Sequence, residues 1–401
     1  MSNCFTSADI LLPQGTDLSR WAVIACDQYT SQPEYWREAQ RLTEGSPSTL
    51  DLILPEAELD APDTAERIEK IHAAMLRTLR ESVFREYRDC FVYTERRMKN
   101  GKVRRGIVGK IDLWDYDYSG TENASVRATE KTVAERIPPR VAVRRGAALE
   151  LPHILMLCND DRYRVIEPLT ERKAKLKKLY DVELMLGGGH AEGWLVDGVE
   201  KRLLEERIGE YEAYERARHP GCRMAYAVGD GNHSLASAKA CSQDTAASRY
   251  ALVELNNIHD GEGDFEPIHR LVKHCDVKKL LADAGRLADV PDGVPVPWIS
   301  ADGEGVLLVP ARGGKLPLAA LQEFLDGWLS ENRGELDYIH GGDTLRALAK
   351  TEGCLGFLLP PVPKEGLFPG ILSDGVLPRK TFSMGEAAEK RYYLEARRIS
   401  D

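Results

Sequence analysis

The densest group of reactive side chains in this sequence lies at 229–234, which reads Gly-Asp-Gly-Asn-His-Ser. An apolar run that predicts a buried strand precedes it, and an alanine-rich run that predicts a helix follows it. Asp230 and His233 are the candidates for catalysis, because a carboxylate and an imidazole both transfer protons. Gly229 and Gly231 allow a positive φ or the close approach of a ligand.

The predicted helix start completes this candidate site. Asn232 and Ser234 are residue types that cap helix N-termini. A helix that begins here directs N–H groups and the positive end of its dipole towards the space above the turn. We therefore predict a phosphate or carboxylate site that is bound by Gly229, Gly231, Asn232 and Ser234. The spacing matches neither G-x-G-x-x-G nor a P-loop, so a purely structural turn is the alternative.

Regular elements must position these residues. The run 224–240 predicts a strand, a turn and a helix, and 250–255 predicts the next strand, so we expect a βαβ unit with a parallel strand pair. An Asn-Gly pair predicts a hairpin over 91–111. Helices are predicted over 63–87 and 127–137. The predicted fold class is α/β with mixed α and β elements.

We expect three regions along the chain. Residues 1–165 form an N-terminal α/β region with the hairpin, and 166–290 form a helical arm followed by the βαβ unit. Residues 298–401 form a C-terminal α/β region that is able to pack as one unit with the rest. A length of 401 residues accommodates this division.

Composition excludes several classes of protein. The net charge of −10 opposes the basic face that a nucleic-acid-binding protein needs. The sequence shows neither a signal peptide nor an apolar run of membrane-spanning length. The eight cysteines are scattered without a C-x-x-C pair, which is typical of a reducing compartment. We therefore expect a cytoplasmic protein.

A second candidate group follows the predicted βαβ unit. His269 and Arg270 stand between apolar residues, directly after Pro267 and Ile268. Ligands of open α/β sheets bind at the carboxyl edge of the strands. We therefore expect His269 and Arg270 to lie beside the 229–234 turn and to contribute to binding.

Several segments together resemble domain-of-unknown-function family number 1015 of bacteria and archaea. These segments are 22–27, 127–132, 227–233, 267–272 and 337–340. The D-G-x-H turn and the P-x-H-R segment are their most specific parts. On this resemblance, Arg127 and Glu130 join the predicted binding residues.

The D-G-H-H-R turn of that family is similar to the phosphate-binding turn of free-serine kinases in the ParB/sulfiredoxin superfamily. The resemblance implies a ParB/sulfiredoxin-like core, ATP or ADP with Mg²⁺ as cofactor, and phosphoryl transfer to a serine-like hydroxyl in serine metabolism. This chain has Asn232 for the first histidine and Ser234 for the arginine. The loss of the arginine removes a bidentate phosphate clamp, and Arg270 would supply the missing charge.

Two functions from different classes follow from these residues. One is a kinase-like phosphotransferase, and the other is a regulatory protein that binds a nucleotide or metabolite without catalysis. Neither reading needs a membrane or a nucleic acid as partner. The metal ligands and the homo-oligomeric state stay open.

Overall fold

The computed structural model describes residues 3–30, 32–120, 123–132, 134–261, 265–288, 293–311, 317–378 and 380–400. The chain divides into two units, which we describe separately. Unit 1 comprises 1–128, 132–262 and 386–401, and unit 2 comprises 129–131 and 263–385.

The described helices are α1 Leu18–Trp21, α2 Pro33–Thr43, α3 Thr64–Arg80, α4 Ile137–Arg144, α5 Glu167–Arg172, α6 Gly198–Arg218, α7 Asn232–Ala240, α8 Val277–Ala284, α9 Pro317–Glu331, α10 Gly342–Ala349 and α11 Lys364–Asp374. The described strands are β1 Phe5–Thr6, β2 Ala8–Pro13, β3 Phe84–Arg97, β4 Val103–Asp112, β5 Tyr116–Asp117, β6 Val126–Ala128, β7 Leu149–Glu150, β8 Leu155–Cys158, β9 Lys177–Leu184, β10 Gly189–Val196, β11 Tyr226–Asp230, β12 Tyr250–Asn257, β13 Glu266–Lys273, β14 Val294–Ser300, β15 Gly303–Val309, β16 Glu335–His340, β17 Leu355–Phe357, β18 Phe382–Ser383 and β19 Arg397–Arg398.

Unit 1 is built on one large mixed sheet, with the strand order β5-β6-β11-β8-β12-β4-β3-β10-β9. Strand β11 pairs in parallel with β6 and antiparallel with β8, whereas β12 pairs in parallel with β8. The α/β fold class and the strand–helix–strand order are therefore confirmed. The predicted parallel pairing of β11 with β12 was wrong, because β8 lies between them and they run in opposite directions.

The predicted hairpin is confirmed, since β3 and β4 pair antiparallel across the turn that contains Gly101, whose φ is +84°. The helix before it was predicted too long. Ser82 adopts a left-handed φ of +55°, which stops α3 at Arg80 and lets β3 begin at Phe84.

The helix predicted over 127–137 was wrong. Its first residues form β6, which is buried beside β11. The helix α4 begins only at Ile137, with a proline in its first turn. Proline favours the first turn of a helix because its missing N–H would have no acceptor there.

Unit 2 contains an antiparallel sheet with the order β15-β14-β17-β13-β16, and β18 pairs with one end of β13. Buried apolar residues of α9 and of the sheet form its core, including Leu321, Leu325 and Phe357.

These units differ from the three predicted regions. Strands from 1–165 and 166–290 share the sheet of unit 1, and the last residues, 386–401, belong to unit 1 as well. Residues 263–290, which we predicted in the middle region, belong to unit 2.

Candidate functional site

The turn between β11 and α7 is shaped by an irregularity in the strand and by one glycine. The register of β11 against β8 shifts between Val228 and Asp230, and such bulges redirect side chains. Gly231 then adopts a left-handed φ of +82°. A Cβ atom on it would lie only 3.0 Å from Ile154 Cγ1. Gly229 is not among the glycines with positive φ, so a left-handed conformation is observed only at Gly231 of the two.

The N-terminus of α7 is not capped by a side chain. Gly231 occupies the N-cap position, and the first backbone hydrogen bond runs from Leu235 N to Gly231 O. The prediction that Asn232 or Ser234 caps the helix was therefore wrong. Asn232 is the first helical residue, and the Ser234 hydroxyl bonds to His153 instead.

Asp230 forms an ion pair with a lysine from the end of the chain. Lys390 Nζ lies 3.1 Å from Asp230 Oδ2, and the two side chains are only 11% and 20% exposed. Asp230 Oδ1 accepts a hydrogen bond from Gly231 N at 3.0 Å. The backbone carbonyl of Lys390 accepts from the buried Arg96, which fixes the lysine backbone. The site thus combines a carboxylate and an ammonium group that both retain access to solvent.

His153 lies on the other side of Gly231 and is the centre of a hydrogen-bonded chain. Its Nε2 is 2.9 Å from Ser234 Oγ, and its Nδ1 is 2.8 Å from the Tyr393 hydroxyl. The Tyr393 oxygen in turn accepts from Cys26 N at 3.1 Å. His153 itself is buried. Because both ring nitrogens of His153 have a hydrogen-bond partner in this series, the imidazole is held in one orientation.

A second carboxylate, Asp27, faces the same imidazole. Its Oδ2 lies 3.9 Å from His153 Nε2, and Gln28 Nε2 donates to its Oδ1 at 2.9 Å. Burial acts to raise the pKa of Asp27, but the charges of His153 and Lys390 and the Gln28 hydrogen bond outweigh it and lower the pKa. Asp27 is therefore ionised at neutral pH, close to the positive charge of Lys390.

This geometry is not that of a serine hydrolase. In a Ser-His-Asp triad one ring nitrogen of the histidine faces the serine, and the carboxylate bonds to the other ring nitrogen. Here Ser234 and Asp27 both face Nε2, and Tyr393 occupies Nδ1. Because the Asp27 carboxylate can only accept hydrogen bonds, a proton on Nε2 suits both groups that face this nitrogen. Ser234 is thus a hydrogen-bond acceptor of His153 rather than an activated nucleophile.

Two further predicted residues lie in unit 1. His233 is partly exposed in the first turn of α7, and its carbonyl accepts from Ser237 Oγ at 2.8 Å. Arg127 lies on β6 opposite Ala227 of β11. Its buried Nε has no acceptor among the described residues. The roles of His233 and Arg127 in binding stay predictions.

The other predicted residues belong to unit 2. The Glu130 carboxylate accepts from Thr381 N at 3.1 Å. Arg270 is fully buried and donates to Gln322 Oε1 at 2.6 Å and to the carbonyl of Ile268 at 2.6 Å. These contacts hold the guanidinium within unit 2, and the function proposed below does not use Arg270. The expected proximity of His269 and Arg270 to the turn stays a prediction.

His269 is buried in β13, where Leu359 N donates to its Nδ1 at 3.1 Å. Burial, together with the charges of Arg270, His340 and Arg346, lowers its pKa to about 4. The ring is therefore neutral, with its proton on Nε2.

Three residues of this site were not among our candidates. Lys390, His153 and Tyr393 come from segments that we considered apolar or did not interpret, and Asp27 appeared only within a resembling segment. The sequence signal for two of them, Lys390 and Tyr393, is the run of Lys, Arg and two tyrosines at 390–393. Spacing offers no means of pairing that run with residues more than 100 positions away.

No group of three or more histidine, cysteine, aspartate or glutamate side chains in the described residues is arranged to hold a metal ion. Asp230 directly precedes Gly231, the N-cap of α7, and Asp27 faces His153. Mg²⁺ in nucleotide-dependent enzymes commonly uses one or two carboxylates together with substrate phosphates. The donor set is therefore compatible with Mg²⁺ that arrives with a nucleotide, but not with an all-protein metal site.

Among the helices of the described residues, none has the length and apolar character needed to cross a membrane. The sequence matches no curated protein.

Solved structures resemble the chain only distantly. SbnI with a C-terminal truncation, from Staphylococcus aureus, is 11% identical with a TM-score of 0.38, over 69% of this chain and 81% of that one. A free serine kinase variant in complex with AMP is 12% identical with a TM-score of 0.41, over 75% and 92%. A conserved hypothetical protein from Pyrococcus furiosus is 12% identical with a TM-score of 0.36, over 73% and 92%. Likenesses of this degree support no inference about function.

The family comparison covers most of the sequence. A family model described as "Protein of unknown function (DUF1015)" matches residues 10–366. This match includes the strand, turn and helix that carry Asp230 and Gly231. The chain therefore belongs to the DUF1015 family.

Proposed function

We propose that unit 1 binds the phosphate groups of ATP or ADP at the start of α7 and transfers one phosphoryl group to the hydroxyl of a small molecule. The observation that carries this proposal is the Asp230–Lys390 pair, in which a carboxylate and an ammonium group lie 3.1 Å apart next to Gly231. A phosphotransferase needs a proton acceptor for the attacking hydroxyl and a positive charge for the transferred phosphate.

The residues divide the reaction between them. Lys390 binds oxygen atoms of the transferred phosphoryl group, and the glycine at 231 lets the phosphates approach the backbone. The acceptor hydroxyl oxygen attacks the terminal phosphorus of the nucleotide. The bond between this phosphorus and the bridging oxygen breaks, and the nucleotide leaves with one phosphate fewer. Asp230 takes the hydroxyl proton and passes it to solvent. Asp27 and Asp230 would hold Mg²⁺ that arrives with the nucleotide, and the ion would there supply positive charge to the phosphates.

Positioning and charge account for most of the acceleration in phosphoryl transfer, because little covalent chemistry is required of the protein. The ordered groups of unit 1 suit this task. Lys390 is fixed through its backbone by Arg96, and His153 is held by Ser234 and Tyr393. We expect His233 to contact phosphate oxygens from the first turn of α7.

A regulatory protein that binds a nucleotide or metabolite without catalysis is the second candidate. It is favoured by Ser234, which stands where the kinase-like turn has an arginine and whose hydroxyl bonds to His153. Ligand binding without any product, with every phosphoryl donor tried, would support this alternative.

The Asp230→Asn variant tests the proposed function. We expect it to bind ATP or ADP within about threefold of the wild type but to lose at least about 100-fold in turnover, which is the usual contribution of general base catalysis. Nucleotide binding is measured by calorimetry with Mg²⁺, and phosphoryl transfer by ³¹P NMR with serine and other small hydroxyl compounds.

Asp260→Asn is a matched control. Asp260 is 14% exposed and pairs with Arg105 at 2.9 Å, close to the values for Asp230. We expect this variant to retain wild-type turnover. Unchanged turnover in Asp230→Asn would remove Asp230 from the mechanism, and the absence of nucleotide binding by the wild type would overturn the proposed function.

A further inference from the structure

A pocket of about 140 Å³ lies in unit 1 beside the His153–Ser234 pair. Its walls come from α3, α4, the residues around β7 and the start of α7. Most of the lining side chains are apolar, among them Leu52, Leu54, Met75, Val143, Leu149 and Leu252.

The size of this pocket is suited to a small ligand. Protein interiors are packed as densely as organic crystals and retain few voids larger than a water molecule. An apolar cavity of about 150 Å³ is large enough to bind benzene. The pocket therefore has the size and lining for the carbon body of a small molecule.

Charged groups in and next to the pocket lining leave a surplus of positive charge. Arg140 pairs with Glu56, and Arg144 pairs with Glu150 at 2.6 Å; all four residues line the pocket. Glu150 is shared with Arg397, which is not among the lining residues and also lies 2.6 Å from it. Three guanidinium groups are thus paired with two carboxylates, which favours an anionic ligand.

Arg144 also has an unused donor. Its buried Nε has no hydrogen-bond acceptor among the described residues, although its Nη2 donates to Glu150 Oε2 at 2.6 Å. Buried donors in native proteins are nearly always bonded. A ligand oxygen would satisfy this one.

The pocket lining also carries hydroxyl groups. Ser234 and Ser237 both line the pocket, and Ser234 Oγ accepts from His153. Ser237 donates back to the carbonyl of His233. The Ser234 proton is therefore left to bond a ligand hydroxyl, on the side of the pocket that adjoins Gly231, since His153 Cδ2 lies 3.5 Å from the position of a Cβ on that glycine.

We infer that this pocket holds the phosphoryl acceptor and that the acceptor is a small aliphatic hydroxy acid. Its carboxylate binds Arg144, its carbon body contacts the apolar lining residues, and its hydroxyl bonds to Ser234. The identification of this molecule as the acceptor rests on the proposed function. Free serine fits less well, because its ammonium group would meet an apolar wall and two carboxylates, Glu56 and Glu150, that are already paired with arginines.

The experiment is a calorimetric titration of the full chain without nucleotide. The probes are 2-hydroxy-3-methylbutanoate, valine and serine; the first two share one carbon skeleton and differ in a hydroxyl or an ammonium group. We expect the hydroxy acid to bind at least about tenfold more tightly than either amino acid, since an unpaired ammonium must lose its hydration. Equal or tighter binding of valine or serine would overturn the inference.

Two variants test the site itself. Ala147→Leu places a larger side chain in the pocket wall, and we expect it to weaken binding of the hydroxy acid by at least about tenfold. Arg144→Lys keeps a cation beside Glu150 but removes the Nε donor, and about a tenfold loss is expected because hydrogen bonds to charged groups are strong. Arg145→Lys, on the exposed neighbour of Arg144, is the control and should bind as the wild type does.

Thermal denaturation of each variant separates a filled pocket from a misfolded chain, and Leu54→Phe fills the same wall if Ala147→Leu does not fold. Unchanged binding of the hydroxy acid in a folded filling variant would contradict the site. Nucleotide titrations of the same proteins keep the two proposals apart. If the hydroxy acid binds but no nucleotide does, the pocket stands and the phosphotransferase proposal fails.

Discussion

Two strand–glycine–helix turns, one in each unit, share a glycine with positive φ and have different surroundings. Gly231, the N-cap of α7 in unit 1, has φ +82° and ψ +26°, and Gly341, the N-cap of α10 in unit 2, has φ +81° and ψ +127°. Neither helix has a side-chain cap hydrogen bond. A glycine with positive φ before a helix therefore does not by itself distinguish a binding site from a structural turn.

The side chains around the two turns make the difference. Asp230 and Lys390 form a charged pair that retains some exposure. Near α10, by contrast, His269 Nε2 lies 3.7 Å from the position of a Cβ on Gly342, and both His269 and Arg270 are buried and bonded to their own unit. Groups that are partly exposed can exchange protons and bind ligands, whereas fully buried groups chiefly hold a fold. We therefore expect changes at the first turn to alter activity and changes at the second to alter stability.

The largest expected effect is on stability in unit 2. Arg270→Ala removes a fully buried guanidinium and leaves Gln322 and the carbonyl of Ile268 without their donor. We expect a loss of about 3 kcal/mol or more in the free energy of unfolding, because each unpaired buried group costs about 1–3 kcal/mol. Urea denaturation measures this loss.

Arg346→Ala is the control for that variant, because its side chain is 51% exposed. It should change stability by no more than about 0.5 kcal/mol. If Arg270→Ala were as stable as this control and instead lost nucleotide binding, the structural interpretation of Arg270 would be wrong.

The next effect is on activity in unit 1. Lys390→Met keeps about the length of the side chain but removes the positive charge that we propose to bind the transferred phosphoryl group. We expect turnover to fall about 100-fold, which is typical for the loss of one transition-state donor, with a melting temperature near that of the wild type. Lys201→Met, on a lysine that is 15% exposed and pairs with Asp89, should retain activity, and an equal loss in both would point to folding rather than to chemistry.

The third prediction concerns pH. In the folded chain the pKa of His269 is lowered from 6.5 to about 4, so the unfolded chain takes up its proton first as the pH falls. The contribution of His269 to stability is therefore complete above pH 6.5 and is lost as the pH falls towards 4, by about 2 kcal/mol at pH 5.

His269→Asn isolates that contribution, because its side-chain oxygen can still accept from Leu359 N but does not titrate. The difference in free energy of unfolding between the wild type and this variant should change between pH 7 and pH 5. A constant difference would show that His269 does not stay neutral in the folded chain.

The smallest expected effect is the difference in stability cost between alanine substitutions at two glycines with left-handed φ. Gly231→Ala strains the backbone and brings a methyl group to 3.0 Å from Ile154, whereas the position of a Cβ on Gly221, with φ +87°, has no atom within 4 Å. Both alanines should cost about 1–2 kcal/mol for the left-handed conformation. We expect Gly231→Ala to cost about 1 kcal/mol more and to weaken nucleotide binding. Equal costs and unchanged nucleotide binding would argue against close approach of a ligand to the turn.

The local elements were largely predictable, because each has a short-range physical cause. The β11 strand, the left-handed glycine at 231 and α7 follow from an apolar run, a turn and an alanine-rich segment. The predictions failed at residues whose type occurs in more than one structural context. The helix predicted over 127–137 ends where α4 begins, with Pro138 in its first turn, and Ser82 interrupts a periodic pattern with a left-handed φ of +55°.

The sequence by itself determined the class of the fold, the strand–turn–helix of the candidate site and the presence of a carboxylate in its turn, at Asp230. Only the tertiary structure decided which groups surround that carboxylate. Lys390, His153 and Asp27 come from segments far apart in the chain, and they meet because the last residues of the chain and the strand β8 pack in the same unit as β11. Periodicity and spacing report interactions between near neighbours in sequence, whereas pairing across the chain depends on how the whole core is packed.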